Sequence, residues 1–180
     1  LITVGWPDNN PDDVDTYVED PAGNVIWYNQ REGGLMHLDR DDRGMFKDVI
    51  LFNDKEVSNP LNQEIVSFRG LEDGEYVVNV VHYIANGASL LPVTVKVEKL
   101  NPSVKVIYYQ TLNLTGSGNE QTAVRFTLKG EEVIDLNNRP KSLVELTRGG
   151  GKRSSARDGG GQNFIDATTG QGAGNTLNQP

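Results

Sequence analysis

The chain of 180 residues has no cysteine, which excludes disulfides and thiolate metal sites while leaving the compartment open. It has no apolar run of about 18 residues, the length a membrane-spanning helix needs. Histidine occurs only at His37 and His82, so a three-histidine zinc site is excluded. Basic residues are in deficit, 17 Lys and Arg against 25 Asp and Glu, for a formal net charge of −8. A nucleic-acid binder needs a basic face to meet phosphates, and an anionic membrane surface repels such a chain. Neither H-E-x-x-H nor G-x-S-x-G occurs. "GGGKRS" (Gly149 to Ser154) fails as a phosphate loop, because Leu146 stands where the first glycine belongs and Arg153 follows Lys152. These absences argue against an enzyme. The chain starts at Leu1, a start equally consistent with a processed leader, a removed anchor or a missing first segment.

Strand signals fill the body, and no stretch shows helical periodicity with a cap. "VDTYV" sets Val14, Thr16 and Val18 on one face and Asp15 and Tyr17 on the other, the alternation of a half-buried strand. "DPAGN" (Asp20 to Asn24) supplies a turn, with Gly23 able to take positive φ, and "VIWYN" returns as the second strand of a hairpin. "EYVVNVVHYI" (Glu75 to Ile84) is apolar on both faces, as a central strand covered on both sides should be. Its aromatics, Tyr76 and Tyr83, are expected in the core, and His82 as a hydrogen-bonded core histidine. "PVTVKVEKL" alternates cleanly. "SVKVIYYQTLNL" and "TAVRFTLKG" read as a hairpin around "TGSGNE", and "EEVIDL" (Glu131 to Leu136) ends the sheet. The fold class that follows is an all-β, antiparallel β-sandwich, immunoglobulin-like or jelly-roll-like, of about seven or eight strands.

Residues 31–63 are less regular and read as a packed loop with one short strand, anchored by Leu35, Met36, Leu38, Phe46, Val49, Ile50 and Leu51. Composition changes after Val144, giving a sandwich domain over 1–144 and a tail over 145–180. Residues 149–180 hold nine glycines and few large apolar side chains, too little to offset the entropy of ordering the segment alone. The tail reads either as an arm docked on neighbouring subunits or as a flexible tether.

The run "WPDNNPDDVDTYVEDPAGNVIWY" (Trp6 to Tyr28), followed by "LEDGEYVVNVVHY" (Leu71 to Tyr83), resembles a recurrent bacterial sandwich signature. It is similar to the YfaP-like bacterial domains and to the pre-peptidase C-terminal domain, over roughly residues 6–84. Thr16 departs from the usual aliphatic, and the insertion between the two halves is longer. The resemblance implies an extracytoplasmic, non-catalytic accessory domain.

The leading expectation is a structural or interaction module of a larger homo- or hetero-oligomeric assembly, a virion surface or decoration protein or a cell-envelope or filament component. Lys152, Arg153, Arg157, Phe164, Ile165 and Leu177 would then dock the tail on protein neighbours. The alternative is a secreted or membrane-tethered accessory domain. It would bind calcium through Asp13, Asp15 and Asp20, since hard cations want carboxylate and carbonyl oxygens. Trp27 and Tyr28, with Trp6, would offer a stacking platform for carbohydrate, against which stands the expectation that at least one Trp fills the core. No cofactor other than calcium is expected. "DRDDRG" (Asp39 to Gly44) fails as an EF-hand loop, because Arg43 and Ile50 occupy ligand positions. The plain reading of Asp13 and Asp15 is a solvated strand face that resists edge pairing.

Overall fold

The computed structural model describes residues 1–44, 49–87 and 90–148. The tail positions named above lie outside the described residues. In chain order the strands are β1 (Ile2–Gly5), β2 (Asp13–Glu19), β3 (Val25–Ile26), β4 (Glu32–Gly33), β5 (Met36–Arg40), β6 (Val49–Phe52) and β7 (Lys55–Ser58). There follow β8 (Gln63–Phe68), β9 (Gly74–Ile84), β10 (Leu91–Lys99), β11 (Lys105–Leu114), β12 (Glu120–Lys129), β13 (Glu132–Asn137) and the helix α1 (Leu143–Arg148). All strand pairs are antiparallel. One sheet runs β11-β10-β1-β8-β5-β4 and the other β13-β12-β9-β2-β3, so the protein is an all-β sandwich.

Alternation builds the core. Val93, Val95 and Val97 of β10, Ile2 and Val4 of β1 and Val66 of β8 face Val14, Val18, Tyr76, Val78 and Val80 of the other sheet. Tyr76 stacks on Phe126 at 5.1 Å and meets Phe68 edge-on at 5.7 Å, filling one end of the sandwich. Trp6 joins this core, as expected of one tryptophan. The outer face of β9 is covered as well: Val77 and Val81 pack with Tyr17 and Leu143 of α1. β9 is therefore the doubly covered central strand that its sequence indicates.

Several expectations are corrected. β11 and β12 are not a hairpin, for β11 pairs with β10 while β12 pairs with β9 and β13 in the opposite sheet. The glycine-rich "TGSGNE" carries the chain between sheets. The described residues within 31–62 form β4 to β7 rather than a packed loop, and the expected anchor Phe46 lies outside the described residues. Met36 and Leu38 are buried, but Leu35, Val49, Ile50 and Leu51 are exposed, with Leu51 at 78% and Phe52 at 64%. β6 and β7 pair only with each other. Thirteen strands among the described residues exceed the expected seven or eight, because β1 and short pieces such as β4 carry too little alternation to be read.

The helix α1 crosses the expected boundary at Val144. The run Ser142-Leu-Val-Glu145 is a capping signature: the Ser142 Oγ accepts from the Glu145 N–H at 3.1 Å, and Glu120 Oε1 accepts from the Leu143 N–H at 2.7 Å. Leu143 is fully buried, so the packed body continues at least to this turn.

Candidate cation site

Two β-bulges and one open strand edge shape the site. β3 pairs only with Val18 and Glu19 of β2, leaving the first half of β2 without a neighbour on that side. The Thr16 N–H, unpaired in the sheet, donates to Glu64 Oε2 at 2.6 Å. Glu64 belongs to β8 of the opposite sheet, and by parity it lies on the core face with Val66. It therefore reaches across the sandwich interior to the edge of β2.

The first bulge lies in β5, where Leu38 opposes Val66 but Arg40 opposes Ile65. The extra residue, Asp39, advances the register by one, bringing Asp41 to the level of Glu64. The second lies in β9: Val14 opposes His82 while Asp13 opposes Ile84, leaving Tyr83 as the bulged residue. Bulges of this kind re-aim side chains beside functional sites.

The result is a convergence of carboxylates. Asp15, Asp41 and Glu64 each bring an oxygen to within 4.8 Å of the others. Asp13 lines the same cleft as Asp15 and Asp41. Glu64 is 1% exposed and Asp15 3%. Three of the acid oxygens, Asp13 Oδ1, Asp15 Oδ2 and Glu64 Oε1, are buried and have no hydrogen-bond partner among the described residues. A buried, unpaired carboxylate oxygen costs far more than an exposed one. Burial, reinforced by Asp13 and Asp41, pushes the Asp15 carboxyl up to about 8. Burial, with Asp41 adding repulsion and Arg43 opposing it, moves Asp13 up to about 6. Burial also raises Glu64 well above the usual carboxylate range, assisted by Asp15.

The loop that carries Asp41 is pinned on both sides. Asp42 accepts from Arg40 Nη2 at 2.6 Å, the Gly44 N–H at 3.1 Å and the Gln63 N–H at 3.3 Å. Gly44 has φ +62°, and a Cβ there would stand 2.4 Å from the Asp12 carbonyl oxygen, so only glycine lets the loop lie on Asp12. Asp12 is itself a hub. Its Oδ1 accepts from the Asn86 and Gly87 N–H groups, and its Oδ2 faces His82 Nε2 at 3.1 Å. His82 Nδ1 accepts from the Gly116 N–H at 3.2 Å, which assigns the ring proton to Nε2 as donor to Asp12. His82 is thus the hydrogen-bonded core histidine expected.

Asp13 and Asp15 are brought together but are buried, not on the solvated face expected. Asp20 is not with them. About 3.3 Å of rise per residue puts it roughly 16 Å along from Asp15, and Asn24 occupies both its oxygens, through its N–H at 2.8 Å and its Nδ2 at 2.7 Å. Asp20 shapes the turn. Trp27 stacks on Tyr17 at 6.2 Å, while Tyr28 meets Tyr83 at 5.5 Å and both of that pair are exposed. Trp27 and Tyr28 thus pair with different aromatics while both line a second cleft with Tyr17, and Tyr83 is not the core aromatic expected. His37, on β5 rather than in a loop, contacts Asp39 at 2.7 Å. Among the described residues, no helix is long and apolar enough to cross a membrane.

Glu64 and Asp41 complete the cluster, beyond the acids that the sequence indicates. Glu64 did carry a signal, an acid at a position whose parity belongs to the core. No protein-family model, curated protein or solved structure matches the chain.

Proposed function

We propose that the protein is a non-enzymatic, extracytoplasmic β-sandwich module that binds a divalent cation, calcium, through Asp13, Asp15, Asp41 and Glu64. The observation that carries this reading is the convergence of Asp15, Asp41 and Glu64 within 4.8 Å, with buried oxygens on Asp15, Glu64 and the neighbouring Asp13 that have no hydrogen-bond partner among the described residues. All-oxygen donors of this charge suit a hard cation. The cation would neutralise the cluster and tie the β2 edge to the opposite sheet and the β5–β6 loop.

Terbium luminescence offers a direct test, because Tyr28 and Tyr83 line the same cleft as the acids and would sensitise a bound lanthanide. Saturable emission displaced by calcium is expected, and it should vanish in Glu64→Gln. Emission that persists unchanged in Glu64→Gln and Asp15→Asn would place the cation elsewhere.

A second reading, a structural module of a virion surface or cell-envelope assembly, is favoured by the β6–β7 hairpin, whose apolar residues stand in solvent. Sedimentation velocity on the full chain and on Leu51→Lys/Phe52→Lys separates the two. An oligomer lost in the variant favours assembly through this hairpin, and a monomer in both removes it.

A further inference from the structure

The acids occupy one part of a larger cleft. Asp13, Asp15 and Asp41 line a cavity of about 630 Å³, within the range of roughly 300–1,000 Å³ typical of small-molecule sites. Its remaining walls differ in character from the acidic part. Tyr28 and Tyr83 form a tilted pair, 37% and 46% exposed, and Ile84 extends this apolar surface. The β9 bulge singles out Tyr83 at this point. Arg43 also lines the cleft, held only loosely by Asp41 at 3.8 Å, with its side chain 56% exposed.

We infer that this cleft binds an acidic saccharide, a uronate-bearing glycan, with the sugar carboxylate bridging the bound cation and Arg43. The inference rests on the cation reading above. Calcium takes six to eight oxygens, more than four carboxylates need supply, and Asp13, Asp15 and Asp41 line the cleft from which further oxygens can come. A uronate offers a carboxylate oxygen and a neighbouring hydroxyl or ring oxygen, a chelating pair for those positions. Its second carboxylate oxygen suits a guanidinium, whose planar fork matches carboxylate geometry. The C–H face of the pyranose ring, slightly positive, packs against the negative face of an aromatic ring, here Tyr83 or Tyr28. Arg43 is the one basic residue among the described lining, in a chain of net charge −8. A multiply charged phosphate chain would meet strong repulsion from such a surface, whereas a singly charged carboxylate meets less.

Calorimetric titration of the full-length protein with trigalacturonate, in millimolar calcium and in EDTA, tests the inference, with maltotriose as the neutral control. Saturable binding in calcium, absent in EDTA and absent for maltotriose, is expected. Arg43→Ala and Tyr83→Ala should each weaken trigalacturonate about tenfold. In Tyr83→Ala the calcium isotherm, measured alone, should be unchanged. Calcium binding without trigalacturonate binding overturns the saccharide inference and leaves the cation site standing. Equal binding of maltotriose overturns the role of the carboxylate. Trigalacturonate binding that survives EDTA overturns the bridging cation, and absence of calcium binding removes both readings together.

Discussion

Glu64 and Asp15 come from opposite sheets of the sandwich, yet their carboxylates meet within 4.8 Å at the open edge of β2, both buried and each with an oxygen that has no hydrogen-bond partner among the described residues. Neither strand explains this alone. The contact exists because β3 is too short to cover Thr16 and because the bulge at Asp39 carries Asp41 alongside. Like charges gathered in this way oppose folding unless protons or a cation neutralise them.

Replacing one of the acids should therefore help the metal-free protein and harm the metal-bound one. In Asp15→Asn the melting temperature in EDTA is expected to equal or exceed that of the parent. The rise on adding calcium, about 2.7 kcal/mol of stabilisation at a hundred times the dissociation constant in the parent, should disappear. Differential scanning calorimetry in EDTA and in calcium measures both effects.

Stability in EDTA should fall as pH rises. Asp15 has its carboxyl raised from 3.8 to about 8, and Asp13 from 3.8 to about 6. Glu64 is raised in the same direction by burial, with Asp15 and Asp41 adding negative charge and the hydrogen bond from Thr16 opposing it. A raised carboxyl binds its proton more tightly in the folded state, so its contribution is complete below pH 3.8 and is lost as pH climbs through the folded value. Urea unfolding at intervals between pH 3 and 9 should show a decline that begins above about pH 4, becomes shallower past about pH 6 and levels off toward pH 8. Calcium should flatten the profile, and Asp15→Asn should make the decline shallower.

The Asp12–His82 pair is a buried support with no exposed atoms, and Asp12 also holds the Asn86 and Gly87 backbone. Asp12→Ala leaves two N–H donors and an imidazole without their acceptor. A loss of about 3–5 kcal/mol in unfolding free energy is expected, since each buried donor left without its acceptor costs about 1–3 kcal/mol. Chemical denaturation measures it, and a loss well under 1 kcal/mol would show that the hub is dispensable.

The folded body should extend through α1. A chain ending at Arg148 is expected to unfold at the same denaturant midpoint as the full chain. Leu143→Ala, which empties a fully buried position between Tyr17, Val77 and Val81, should cost about 2–5 kcal/mol. Equal stability of Leu143→Ala and the parent would mean that the helix adds nothing.

Much of the fold was legible because alternation marks β2 and β10 and an apolar run on both faces marks β9. The apolar outer face of β9 announced a covering element, and the covering helix was missed only because its single capped turn is too short to show a period. The β11–β12 connection misled, since a glycine-rich turn between two strands fits a hairpin and a crossing between sheets equally well. The site was half legible. Asp13 and Asp15 stand two apart on one strand, as ligands on one face should, but their burial depends on what covers β2. Asp41 reaches them only through a bulge that no local pattern marks. Glu64 arrives through tertiary pairing, forty-eight positions after Thr16.

A crystal grown in calcium, with diffraction collected where calcium scatters anomalously, tests the cation site most directly. An anomalous peak at about 2.3–2.6 Å from oxygens of Asp15, Asp41 and Glu64 is expected, the distance range of calcium–oxygen coordination. A map at saturating calcium with no peak there, and protonated carboxyls paired to one another instead, would contradict it.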